Sequence, residues 1–100
     1  MDYNISTSGN VTLIKMLGQF TFADTHKFKD VLDLVMQEKV KTLSLDLSNV
    51  TFIDSSSMGM LLLLRDECQS HNISLNIHSP QGQVEKIFRI SKFYQIFSIS

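Results

Sequence analysis

Cysteine and proline each occur once in this chain, glycine four times, and tryptophan not at all. A lone Cys68 forms no internal disulfide, so the fold rests on packing, and a reducing compartment, the cytoplasm, is the expected setting. Met1-Asp2-Tyr3-Asn4 begins acidic and polar, unlike a secretory leader. The longest unbroken apolar run, Met60 to Leu64, is far too short to cross a bilayer, so no membrane association is expected. Nine Lys and Arg are scattered against ten Asp and Glu, for a net charge of −1. Nucleic-acid binders carry a clustered basic surface, and none is visible here.

Catalytic equipment is scarce as well. A glycine-rich phosphate loop of either common kind is missing. Cys68 and His71 are three residues apart, but no second pair accompanies them to complete a metal set, and Cys68 reads better as a small apolar residue on the buried side of a helix. A nucleophile elbow needs a glycine two residues before its serine, and no serine of the Asp54 to Gly59 stretch has one. His26, His71 and His78 fall on a predicted helix start, a loop and a strand end. The expected protein is therefore not an enzyme and binds no cofactor or metal.

One hundred residues suit one domain, residues 1–100, with a modest core, and 43% apolar with 19% charged residues argues for a folded chain. Internal repeats and low-complexity stretches are absent. Val11 to Leu17 reads as a strand ended by Gly18, with a weaker strand before it near Tyr3 to Ser6, turned back by Ser8-Gly9-Asn10. Asp24 is a candidate N-cap for a first helix. Behind it Phe28, Val31, Leu32 and Val35 recur at the spacing of one helical face, which should fade near Glu38-Lys39. Leu43, Leu45 and Leu47 alternate with polar residues, and Ile73, Leu75 and Ile77 do the same. Period-two alternation means one buried and one wetter face, so helices should cover one side of the sheet only. A second helix is expected from about Ser57 to Ser70. A third follows Pro80 through Val84, Ile87, Phe88 and Ser91. Phe93, Ile96, Phe97 and Ile99 then form a short turn or an edge strand. The fold class is α/β: a mixed β-sheet with α-helices packed on one face, joined by right-handed crossovers.

The most informative stretch is Phe52-Ile53-Asp54-Ser55-Ser56-Ser57-Met58-Gly59. It closes an apolar strand and opens directly into a leucine-rich helix, which puts the serines at a helix N-terminus. Unpartnered N–H groups and the helix dipole there favour negative charge, so such a turn can hold an anion or become one by phosphorylation. Ser and Asp are also the preferred N-cap residues, and a run of them before a helix is equally compatible with capping and nothing else. On a helical wheel Leu61, Leu64 and Cys68 mark the buried side, Asp66 and Gln69 the outer one. Met58 and Leu62 fall on that outer side one turn apart, with Leu63 at its opposite edge. Apolar residues on a wet face beside the serines make Met58, Gly59 and Leu62 candidates for partner contact, unless the first or third helix covers them.

Taken together, the chain resembles the STAS domain family, in particular bacterial anti-sigma factor antagonists. That family's signature is an apolar strand end, then Asp-Ser-(Ser or Thr)-Gly-x-Gly and a Leu/Ile-rich helix. Here Phe52 to Leu61 stand in that place, and Gly18, Phe20, Asp24 and Phe28 sit where the family places comparable residues. The resemblance implies that Ser56 accepts a phosphate from a serine kinase, with Ser55 and Ser57 as neighbouring alternatives and with Asp54, Ser55 and Ser57 forming its surroundings. It implies a regulator that holds a protein partner when Ser56 is unmodified and releases it when phosphorylated. The implied partners are an anti-sigma-like serine kinase of the histidine-kinase-like ATPase type and a cognate phosphatase. Other roles open to such a domain are a non-phosphorylated scaffold and a small-ligand-sensing module. Two positions depart from the pattern. Ser57 stands where Gly is usual, so a left-handed backbone there would be costly. Thr21 stands where an acidic residue is common.

Overall fold

The computed structural model describes every residue from Met1 to Ser100. Strand β1 (Asp2–Ser8) pairs antiparallel with β2 (Val11–Phe20) through a tight turn at Gly9 and Asn10. Then follow α1 (Thr25–Met36), β3 (Thr42–Ile53), α2 (Ser55–Ser70), β4 (Ser74–His78), α3 (Gly82–Ile90) and a final strand β5 (Ser98–Ile99). From β2 onward neighbouring strands are parallel, in the spatial order β1-β2-β3-β4-β5. Each crossover therefore steps to the next strand in the same direction. Right-handed crossovers that never reverse direction leave all three helices on one face. A sheet without reversal also lacks the switch point where doubly wound folds bind their ligands.

The core lies between that face and the helices. Ile14 and Met16 of β2, Leu43, Leu45 and Leu47 of β3 and Ile77 of β4 meet Phe28, Val31 and Val35 of α1, Leu61, Leu64 and Cys68 of α2, and Val84 and Phe88 of α3. Leu32, expected on the inward face of α1, is only half-buried. Phe20 stacks on Phe28 at 5.2 Å between centroids, which ties the end of β2 to α1. Phe88, Phe93 and Phe97 form a second aromatic run that closes α3 over the chain end. The apolar tail is both a 3-10 turn (Phe93–Gln95) and an edge strand.

Three boundaries differ from the sequence expectation. β2 does not stop at Gly18. That residue takes φ +86° beside a register shift in which β3 carries the extra residue, and the strand runs on past this bulge to Phe20. Helix α2 begins at Ser55, two positions before the expected Ser57, because Asp54 is its N-cap. Helix α1 ends at Met36, and Glu38 takes a left-handed conformation just beyond it. The Lys39 and Glu38 N–H groups then close a Schellman cap on Leu34 O and Val35 O, both at 3.0 Å. Asn72 closes α2 in the same way. A chain with so few glycines places ordinary residues at its left-handed caps.

Candidate functional site

The site is built where β3 becomes α2. β3 runs twelve residues, and its register against β2 slips twice, between the partners of Lys15 and Leu17 and again between those of Gly18 and Gln19. The slips change which residues face inward, from Leu43, Leu45 and Leu47 to Val50 and then Ile53. Asp46 Oδ1 accepts the Ser48 N–H at 2.9 Å beside the first slip. With Ile53 turned into the core, the chain leaves the sheet at Asp54.

Asp54 is extended at φ −121°, ψ −177° and organises the first turn of α2. Its Oδ1 accepts the Ser57 N–H at 2.8 Å, and its Oδ2 accepts the Phe22 N–H at 3.1 Å from the loop after β2. In return Ser57 Oγ accepts the Asp54 N–H and donates to Asp54 O, both at 2.9 Å. This is a capping box with serine in the third position, where Glu or Gln is usual. The Ser57 N–H does most to hold the Asp54 carboxyl below the ordinary carboxylate range. Partial burial opposes that, and the Phe22 N–H, the Ser57 hydroxyl and the Ser56 N–H add to the lowering. Asp54 is thus a carboxylate at neutral pH.

The three serines separate cleanly. Ser57 has no solvent exposure and is helical, so the left-handed conformation that made it a costly replacement for glycine does not arise. Ser55 and Ser56 are exposed on the first turn of the same helix. Thr21 has its own work: it caps the 3-10 turn Phe22–Asp24, accepting the Ala23 N–H while the Asp24 carboxylate takes the Thr21 N–H. Asp24 is the N-cap residue of α1, as expected, but its carboxylate makes no bond to that helix and serves the preceding turn instead.

Among the residues expected at a partner surface, Gly59 and Leu62 are exposed, whereas Met58 is half-buried against the core. Leu62 keeps 37% of its surface. Sequence reasoning missed Phe22. It is 70% exposed and joined through its N–H to Asp54, beside the serine turn. Its signal was present, an aromatic two residues beyond the core residue Phe20, but its exposure depends on the turn that Thr21 caps.

An open cleft of about 370 Å³ is lined by Leu17, Gly18, Thr21, Ala23, Asp24 and Lys27, among others, and does not include the serines. No group of three His, Cys, Asp or Glu side chains is placed to hold a metal ion. No helix is long and apolar enough to cross a membrane.

The comparisons agree with this geometry. A STAS-domain containing protein of Pseudomonas aeruginosa is 37% identical over 95 residues, spanning 95% of this chain and 93% of the relative. Among solved structures, the anti-sigma factor antagonist SpoIIAA in its unphosphorylated form superposes with a TM-score of 0.77 at 15% identity, covering 99% of this chain and 87% of that one. SpoIIAA of Bacillus in its phosphorylated form superposes equally well, at 0.77 and 16% identity, over 99% and 91% of the two chains. An anti-sigma factor antagonist from Mycobacterium paratuberculosis reaches 0.85 at 12% identity, over 98% and 83%. These structures share the fold. The STAS domain family itself matches residues 2–100, and the chain belongs to that family.

Proposed function

We propose that this domain is a partner-switching regulator of the anti-sigma factor antagonist kind, working by binding rather than catalysis. Unmodified, it captures a regulatory protein partner. Phosphorylation of Ser56 by a serine kinase of the histidine-kinase-like ATPase type releases that partner, and a phosphatase resets the switch. The observation that carries this reading is the sorting of the serines at the N-terminus of α2. Ser57 is withdrawn into the cap, while Ser56 stands exposed beside the Asp54 carboxylate. That SpoIIAA occurs in unphosphorylated and phosphorylated forms on the same fold supports it.

A phosphoserine at this position adds about −1.5 to −2 charges and strong acceptor oxygens. The helix dipole favours it by roughly 0.3–1 kcal/mol, and the Asp54 carboxylate opposes it. The two effects have opposite sign, so the fold should persist and the consequence should fall on the partner. Intact-protein mass spectrometry with site mapping, after production beside the cognate kinase, should find one phosphate, on Ser56. A phosphate only on Ser55, or none, would refute the assignment.

The contact surface is proposed to comprise Met58, Gly59 and Leu62 with Phe22 alongside. Leu62→Asp should cost about 1–2 kcal/mol of stability and leave the domain folded, since the side chain keeps 37% of its surface and only part of its apolar burial is lost. It should nevertheless weaken partner binding by about tenfold or more, because a desolvated charge replaces an apolar contact. Normal folding with unchanged binding, read by thermal melting and titration calorimetry, would remove Leu62 from the interface.

A further inference from the structure

β4 pairs with β3 only from Thr42 to Asp46, while β3 itself continues to Ile53. The last residues of β3 therefore have no strand beside them on the β4 side. In a parallel ladder the N–H and C=O of one residue point to the same side, and at Ile53 a single side chain meets both. The Ile53 N–H donates to Gln83 Oε1 and Gln83 Nε2 donates to Ile53 O, each at 3.0 Å, across thirty residues of sequence. Gln83 belongs to the first turn of α3. A primary amide offers a donor and an acceptor side by side, which a carboxylate, an ammonium or an apolar side chain does not. Gln83 thus completes the ladder where a neighbouring strand residue would, one residue before Asp54.

From Asp54 the effect reaches the serines without a gap. The Asp54 backbone N–H and C=O are both bonded to Ser57 Oγ, and the Asp54 carboxylate sets the Ser57 N–H and receives the Phe22 N–H. The turn is clamped on one side by the loop after β2 and on the other by α3. We infer that Gln83 is a positioning residue for the acceptor turn, fixing the end of β3 from α3 and so where Ser55 and Ser56 are presented. Its functional meaning rests on the acceptor role proposed for Ser56; its geometry does not.

Two variants of the full chain test this by amide NMR. Gln83→Leu removes both bonds. Gln83→Glu keeps an acceptor for the Ile53 N–H but, as a carboxylate, has no donor for Ile53 O, whereas the neutral acid restores the pair. Spectra are recorded from about pH 7 to about pH 3.5, spanning the ordinary Glu range near ~4.3, with the wild type titrated in parallel to subtract the protonation of Asp54. The Ser55 and Ser56 amide resonances should move in Gln83→Leu, and in Gln83→Glu near neutrality. They should return toward wild-type positions in Gln83→Glu as the acid becomes neutral. The Ile53 amide should exchange on the order of tenfold faster in Gln83→Leu, the factor a net hydrogen bond of this kind carries. Wild-type Ser55 and Ser56 resonances in the variants, or no pH-dependent return in Gln83→Glu, would overturn the inference. Should Gln83→Leu fail to fold, Gln83→Glu decides alone. Site mapping that finds no phosphate on Ser56 would remove the acceptor role and leave these resonances to decide on Gln83.

Discussion

Ser56→Asp should lower affinity for the captured protein partner by about 100-fold, while Ser56→Ala should stay within about twofold of the unmodified protein. Ser56 is exposed at the second position of α2, so neither change disturbs packing. Both variants should melt within a few degrees of the wild type, as surface substitutions usually do. The asymmetry arises at the interface. A partner surface that closes over a neutral hydroxyl loses little when it closes over a methyl group. Over a carboxylate it must strip water from a charge only two residues from Asp54, whose own hydrogen bonds keep it ionised. A penalty of about 2–3 kcal/mol at a desolvated contact corresponds to the stated loss of affinity. Titration calorimetry of the two variants against the same partner provides the measurement. A scaffold would bind both equally, and equal binding would end the switch reading.

How much of this was legible in advance depends on whether a feature is set locally or by pairing. The alternation of Leu43, Leu45 and Leu47, and of Ile73, Leu75 and Ile77, exposed the one-sided sheet, because an open face needs polar residues at every second position. The helix faces were legible for the same reason. Phe28, Val31 and Val35 are buried as their spacing requires, and so are Leu61, Leu64 and Cys68. The bulges of β3 were not, since a slipped register exists only in relation to β2 and leaves no local mark. Nor were the left-handed caps at Glu38 and Asn72, which a search for glycine passes over. At the site, Asp54 and the serines are readable from their order, but an expected start of α2 at about Ser57 is two residues late. Reciprocal bonds with Asp54 instead make Ser57 the third residue of the helix and bury it. Phe22 and Gln83 reach the site from 32 and 30 residues away along the chain, and only the fold brings them there.

The sharpest contrast within the site is therefore between adjacent serines, and it can be measured without any partner. Ser57→Asp should destabilise the domain by about 4 kcal/mol or more, while Ser56→Asp should change stability by no more than about 0.5 kcal/mol. Ser57 has no exposed surface, and its hydroxyl both accepts from the Asp54 N–H and donates to Asp54 O. A carboxylate there keeps the first bond, has no hydrogen for the second, and is forced against the backbone oxygen and the carboxylate of Asp54. Ser57→Ala separates the hydrogen-bonding part from the charge. It leaves the Asp54 N–H without its partner, while Asp54 O keeps the Met58 N–H at 3.1 Å; the cost of about 1–3 kcal/mol should place it between the other variants. Urea unfolding of the three variants at neutral pH gives the order directly. If Ser57→Asp is as stable as Ser56→Asp, the capping box does not hold Ser57 inside, and the reason for assigning the acceptor to Ser56 over its neighbour on the C-terminal side disappears with it.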